Sequence, residues 1–230
     1  MSTLRVATYN TRDFLDDRRA AARVIRAIDP DVLCLQEVPR RLFAARRVAA
    51  FARLCDMTWA GHHRGSGGTT IFTSSRVEVV ESRHFRLRVA LAQRTRGFAV
   101  TRVALPGREP LVVASVHLSL KAQERTRHMQ QILAAVGTRE TIVCGDLNEQ
   151  SDGAAWKLLA TPLRLISPGA PTFPAKAPRR LLDVIFAAPS VTALPHNDIR
   201  LDPDDVVAAS DHRPVWVDIR TDPDPANPVI

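Results

Sequence analysis

The chain has 230 residues, three cysteines and a net charge of +8. That length suits one large α/β or all-β domain better than two small ones, and three cysteines with no C-x-x-C pair exclude a disulfide framework and a thiolate zinc site. No signal-peptide pattern precedes the first strand-like run and no apolar stretch approaches bilayer-spanning length, so the expectation is a cytoplasmic protein with no membrane span.

Residues 4–10 alternate like a strand. Asp16 or Asp17 caps a helix reaching Ile28, with Ala21, Val24, Ile25 and Ile28 on one face, and Asp29-Pro30 stops it. An apolar run at 31–37 ends in Glu37, and a second helix is expected over about 40–55. Gly61 to Gly68 reads as a surface loop. Strand-like runs follow at 69–73, 76–82, 97–105 and 110–118, the last two separated by the turn Pro106-Gly107. A helix fits 121–136 with Met129, Ile132, Leu133 and Val136 as its apolar face. A buried strand fits 141–145, a short helix 153–160, and strands 181–187 and 213–219. The organisation expected is one catalytic domain over 1–220 and a loose tail over 221–230. Hairpins mixed with helical crossovers point to an α/β fold with mixed sheets, not a doubly wound parallel one.

Polar residues recur in one context, the end of an apolar strand. They are Asn10, Glu37, His117, Asp146 with Asn148, Asp183, and the pair Asp211-His212. A polar group beside a core strand is unfavourable unless it is paired or bound to a metal. Any one of them alone reads as a satisfied core residue or a cap; six such places together suggest converging strand ends. Carboxylates, amides and imidazoles without cysteine select a hard cation such as Mg²⁺ or Mn²⁺. His62-His63 reads as a solvated pair, His84, His128 and His196 as surface residues, and Arg125 as part of a solvated helix face.

The motifs Thr8-Tyr9-Asn10, Leu35-Gln36-Glu37-Val38, Val116-His117-Leu118, Gly145-Asp146-Leu147-Asn148, Leu182-Asp183-Val184-Ile185-Phe186 and Ser210-Asp211-His212-Arg213-Pro214-Val215 resemble those of the endonuclease/exonuclease/phosphatase superfamily, the DNase I-like fold. They occur in that family's order. The resemblance implies a four-layer α/β sandwich, with two mixed β-sheets packed face to face and helices on the outside. It also implies a Mg²⁺-dependent hydrolase acting on phosphoester bonds, with Mn²⁺ able to substitute. In that reading Glu37 holds the metal with Asn10 and Asp211, Asp146 orients or activates the water, and Asn148 contacts the scissile phosphate. His212, oriented by Asp183, stabilises the transition state. His117 donates to the phosphate or protonates the leaving oxygen. Relatives specialised for abasic DNA tend to carry tyrosine in place of His117. A histidine there is shared by groups acting on DNA, lipid headgroups and sugar phosphates. Glu78 and Glu81 lie in the region of an acid that pairs with this histidine in some relatives, too loosely to assign.

Charge is the remaining guide to substrate. Residues 1–130 hold 23 Lys and Arg against 11 Asp and Glu, while 131–230 hold 9 against 13. Nearly all the cations are arginine, which binds phosphate bidentately, so the reading favours a nuclease acting on DNA. Arg18-Arg19, Arg40-Arg41 and Arg46-Arg47 read equally well as solvated helix faces. The alternatives are a phosphatase or phosphodiesterase of a small phosphoester (sugar phosphate, nucleotide or lipid headgroup) and a non-catalytic phosphate-binding module. No obligate protein partner is indicated.

Overall fold

A computed structural model describes residues 3–60, 65–91, 93–105 and 110–220. The Pro106-Gly107 turn, His62-His63 and the 221–230 tail lie outside them. Strand β1 (Thr3–Asn10) leads through a 3-10 turn into helix α1 (Arg18–Ile28). Asp17 caps α1 by accepting from the Arg19 and Ala20 amides, satisfying two donors that the helix itself leaves open. Strand β2 (Val32–Gln36) follows, then α2 (Ala44–Leu54), β3 (Thr58–Trp59), β4 (Thr70–Thr73), β5 (Glu78–Leu87), β6 (Arg96–Ala104) and β7 (Leu111–His117). The chain continues through α3 (Ala122–Val136), β8 (Thr141–Asp146), α4 (Ala154–Ala160), β9 (Arg164–Leu165), β10 (Asp183–Ala187), α5 (Pro203–Ala209) and β11 (Val215–Arg220).

The strands form two mixed sheets, ordered β11-β1-β2-β4-β3 and β5-β6-β7-β8-β10-β9. The pairs β1/β2 and β7/β8 are parallel; every other named pair is antiparallel. Each parallel pair is bridged by a helix, α1 or α3, as the geometry of a parallel connection requires.

Alternation along the strands sorts side chains into two cores. Leu4, Val6, Val32 and Cys34 join the large core shared with the six-stranded sheet, whereas Ala7, Tyr9, Leu33 and Leu35 pack with α1, α2 and α5. Between the sheets sits one buried polar cluster, in which Gln36 Nε2 donates to Thr8 Oγ1 and to Ser115 Oγ. All three cysteines are buried and free. Among the described residues no helix is long and apolar enough to cross a membrane.

Several boundaries differ from the sequence expectation. Helix α2 begins at Ala44 rather than near residue 40, because Phe43 has left-handed backbone (φ 58°), which a right-handed helix cannot continue through. Strand β5 runs on to Leu87; Arg83 and Arg86 obscure it in the sequence, but it is an edge strand, where charge is tolerated. The described part of the glycine-rich loop is packed rather than superficial. Ser66 is buried, and a Cβ on Gly67 would meet the Arg96 carbonyl carbon at 2.3 Å.

Candidate active site

Asn10, His117, Asp146 and Asp183 occupy the alternate positions that face the gap between the sheets, beyond the apolar residues that fill it. The register places them at one end: His117 pairs with Asp146, and Asp146 with Asp183. Asn10 crosses from the other sheet, its Nδ2 donating to Asp146 Oδ2 at 3.1 Å. Tyr9, one position away, points to the opposite face and packs in the α1 core. All four site residues are buried, with His212 beside them.

The loops leaving these strand ends turn abruptly. Among the described residues nine non-glycine residues have positive φ, and six of them (Arg12, Asp13, Phe14, Glu37, Phe43 and Asn148) lie in loops at this edge. Left-handed backbone is unfavourable for such residues, and its concentration here is what functional sites show. The turn at Asn148 lets its amide donate to Asp146 Oδ1 at 2.8 Å, while its Nδ2 donates to the Leu118 carbonyl at 3.0 Å.

His212 is held from several sides. Its Nδ1 lies 2.8 Å from Asp183 Oδ2, which also accepts from Thr172 Oγ1 at 2.6 Å. Its amide donates to Ser210 Oγ, which donates to the Asn10 carbonyl, and Phe173 packs on the ring. Burial alone would pull the imidazole down, but the Asp183 carboxylate, then Asp146 and Asp211, more than reverse it and raise His212 to about 9. His117 is set the other way. Burial, then the charges of Arg96, His212, Arg40 and Arg94, hold it well below the ordinary imidazole range. Its Nε2 lies 3.4 Å from Asp146 Oδ2, and its Nδ1 is buried without a hydrogen-bond partner among the described residues. Asp146 is pushed up to about 6 by burial and by Asp183, against the pull of His212 and the bonds from Asn148 and Asn10. One edge thus carries a charged imidazole, a neutral imidazole and a carboxylate between them, an arrangement suited to acid–base work.

Glu37 reaches the site from the end of β2, with Oε1 3.9 Å from His117 Nε2. Its Oε2 accepts from Arg94, whose other nitrogen reaches Asp13 at 2.7 Å. Asp211 lies 3.5 Å from Arg12. The predicted members therefore fall into two groups. Asn10, His117, Asp146, Asn148, Asp183 and His212 form one connected group, while Glu37 and Asp211 flank it, each facing an arginine. Among the described residues, Asp146, Asp183 and His212 are the group of acidic and imidazole side chains whose ligand atoms lie mutually within 4.8 Å. Asp183 Oδ1 is buried and has no hydrogen-bond partner among the described residues. Carboxylate and amide oxygens dominate and no thiolate is near, so the donor set fits a hard divalent cation.

The residues the sequence reading passed over are mostly second partners. Thr172 and Phe173 set His212, and Arg94 caps Glu37; none stands in a motif. Arg125 is not a solvated helix residue: it is half-buried, and its Nε donates at 2.6 Å to the buried Glu149. His128 is buried and contacts the Arg88 carbonyl. Glu78 pairs in register with Ala104 at the far end of β6, and Glu81 pairs with Arg83, so neither serves His117. Two clefts flank the buried group. One of about 490 Å³ lies against Asn148, Arg125 and Arg180, and one of about 630 Å³ lies between Leu15, Arg41, Arg47 and Arg94.

The sequence matches the family model for the endonuclease/exonuclease/phosphatase family over residues 7–212, and the chain belongs to that family. The family's members are phosphoester hydrolases and generally use a divalent metal. No curated protein sequence matches. The fold is similar to that of a conserved protein of unknown function from Enterococcus faecalis V583 (TM-score 0.77, 20% identity, 95% of this chain and 100% of that one). It is also similar to an endonuclease/exonuclease/phosphatase from Beutenbergia cavernae DSM 12333 (TM-score 0.76, 21% identity, 96% and 72%). The human Nocturnin catalytic domain with bound sulfate anion shares it too (TM-score 0.68, 20% identity, 95% and 94%).

Proposed function

We propose that the protein is a Mg²⁺-dependent phosphodiesterase, with residues 1–220 as one catalytic domain, that cleaves its substrate by attack of an activated water. The observation that carries this reading is the convergence of Asn10, Asn148, His117 and His212 on one buried carboxylate, Asp146, with His212 held by Asp183. Asp146, fixed by Asn10 and Asn148, aligns the water and takes its proton. Protonated His212, held by Asp183, donates to the phosphoryl oxygens as charge accumulates on them. Neutral His117 donates to the phosphate or serves the leaving oxygen, and Asn148 retains a second amide hydrogen for the scissile phosphate. Glu37, with Asn10 and Asp211, is the set that would hold Mg²⁺. The ion, when bound, supplies Lewis-acid charge beside the phosphoryl group.

The charge asymmetry along the sequence partly cancels in space. Arg5, Arg12, Arg23 and Arg125, all from the basic stretch, pair with Asp218, Asp211, Asp205 and Glu149 of the acidic one. What supports DNA as a second reading is narrower. Arg41 and Arg47 line the cleft beside Leu15 and make no ion pair among the described residues. A duplex substrate predicts affinity falling steeply with salt, whereas a small ester predicts a shallow dependence.

The test is a screen of bis(p-nitrophenyl) phosphate, plasmid DNA, RNA and phosphomonoesters, each with Mg²⁺, Mn²⁺ or EDTA. Turnover of a diester with Mg²⁺ that EDTA abolishes is expected. Metal binding with no turnover of any ester would leave only a phosphate-binding module. Arg94→Ala should lower the half-saturating Mg²⁺ concentration about two- to fivefold, because the half-exposed guanidinium competes for Glu37. An unchanged or higher Mg²⁺ requirement in titrated activity would remove Glu37 from the metal set.

A further inference from the structure

The most exposed large apolar side chains are not scattered. Leu15, Leu42, Phe43, Leu91 and Leu120 are between 68% and 99% exposed, and no other described large apolar residue exceeds 51%. Each lies in a loop on the same edge of the molecule. Leu15 follows β1, Leu42 and Phe43 follow β2, and Leu120 follows β7, the strands that end at Asn10, Gln36 and His117. Leu91 lies between β5 and β6, and Gly97 at the start of β6 pairs with His117, so that loop also emerges at the site edge. Five tips therefore surround the buried site, contributed by four separate loops.

Every tip has a cation close in sequence: Arg18 near Leu15, Arg41 and Arg46 beside Leu42-Phe43, Arg88 near Leu91, Lys121 after Leu120; Arg12 and Arg94, also nearby, are taken up by Asp16, Asp211, Asp13 and Glu37. Arg41, Arg47, Arg88 and Lys121 have no ion pair among the described residues, and Arg41 and Arg47 line the 630 Å³ cleft beside Leu15. Isolated exposed leucines are ordinary; apolar tips alternating with cations around one mouth mark an interaction surface. Four of the five tips are aliphatic and have no π face on which a base can stack, which argues against nucleic acid as the main partner. Apolar tips that enter an acyl boundary, ringed by arginines that meet anionic headgroups, are the arrangement by which peripheral proteins settle on a bilayer.

We propose that this rim docks on the surface of an anionic phospholipid bilayer, with the Leu15, Leu42-Phe43, Leu91 and Leu120 loops entering the interface and the site facing the headgroups. The proposal rests on the phosphoesterase reading only for its consequence, that the substrate is met at a lipid–water interface. The docking itself is measured separately.

Co-sedimentation with vesicles of phosphatidylcholine mixed with phosphatidylserine, and with pure phosphatidylcholine vesicles, tests it. The whole protein is expected to bind the anionic vesicles and to be released by salt. The double variant Leu42→Ser/Phe43→Ser, and separately Leu91→Ser, should weaken vesicle binding at least about tenfold, or about 1.4 kcal/mol. Both should hydrolyse bis(p-nitrophenyl) phosphate like the wild type, which reports folding and the site independently of docking. Failure of the wild type to bind anionic vesicles at low salt would overturn the proposal, as would binding that survives loss of the tips. Tight binding of duplex DNA that depends on Leu42 and Phe43 while vesicles are ignored would overturn it in favour of nucleic acid. Loss of soluble-diester hydrolysis in the wild type would instead count against the phosphoesterase reading alone.

Discussion

Replacing His212 by alanine is expected to lower kcat on a soluble phosphodiester by about a thousandfold or more, with Mg²⁺ affinity and fold unchanged. The size follows from what is removed: a donor that is already charged, at the one place where the phosphoryl oxygens gain charge. Asp183→Asn should lower kcat by about a hundredfold or more while keeping the ring in place, because a carboxamide cannot hold the imidazole protonated. The electrostatics give this an independent readout. In metal-free wild type, NMR titration should place His212 near 9; in Asp183→Asn it should fall clearly below that, since burial would then be opposed only by Asp146 and Asp211. The sign for stability follows. A folded-state value raised above the unfolded one means the His212–Asp183 pair stabilises fully below pH 6.5, and the contribution disappears as pH rises through about 9. Full activity of His212→Ala on every diester the wild type cleaves would remove the mechanism.

Gly145→Ala should be the most damaging of the small substitutions away from the chemistry. Gly145 sits at φ 144°, and a Cβ there would fall 2.0 Å from the Val116 carbonyl oxygen. Neither the strained backbone nor the neighbouring β7 backbone can yield without breaking the β7/β8 register that aligns His117 with Asp146. A loss of at least about 3 kcal/mol is expected, read as a large fall in Tm or as insoluble protein. A variant melting within a degree or two of the wild type would show that the strand can bulge. The glycine of the Gly-Asp-Leu-Asn motif is thus a packing requirement, distinct from the chemical roles proposed for Asp146 and Asn148.

The sequence made the strand ends legible because each announced itself twice, by an apolar run and by a polar residue that such a run should not tolerate. Asn10, His117, Asp146 and Asp183 were found that way, and they converge. Helix α1 was legible from its cap and its apolar face. What escaped was held by contacts distant in sequence. Thr172 matters only because it meets Asp183, and Arg94 only because it meets Glu37. Arg125 looked solvated because nothing nearby in the chain announces Glu149, which Trp156 N also bonds. Helix α5 was missed although Asp202-Pro203-Asp204-Asp205 carries its start signal, with Asp202 accepting from the Asp204 and Asp205 amides. Its seven residues offer too little apolar periodicity to register. The charge asymmetry misled for the same reason: counting along the chain ignores who meets whom.

The position of β11 has a consequence in time. It is the last strand of its sheet in chain order, yet it lies against β1, the first, with Thr8 opposite Val215. During synthesis Glu37, His117, Asp146 and Asp183 leave the ribosome long before residue 212. Until β11 docks, β1 presents a bare edge, and the segment that seats His212 through Ser210 on the Asn10 carbonyl has nowhere to anchor. A growing chain therefore carries the carboxylates before the segment that seats His212 is anchored. On the proposed mechanism, a product truncated before Ser210 should lack diesterase activity, which an assay of the truncated protein beside the full chain checks.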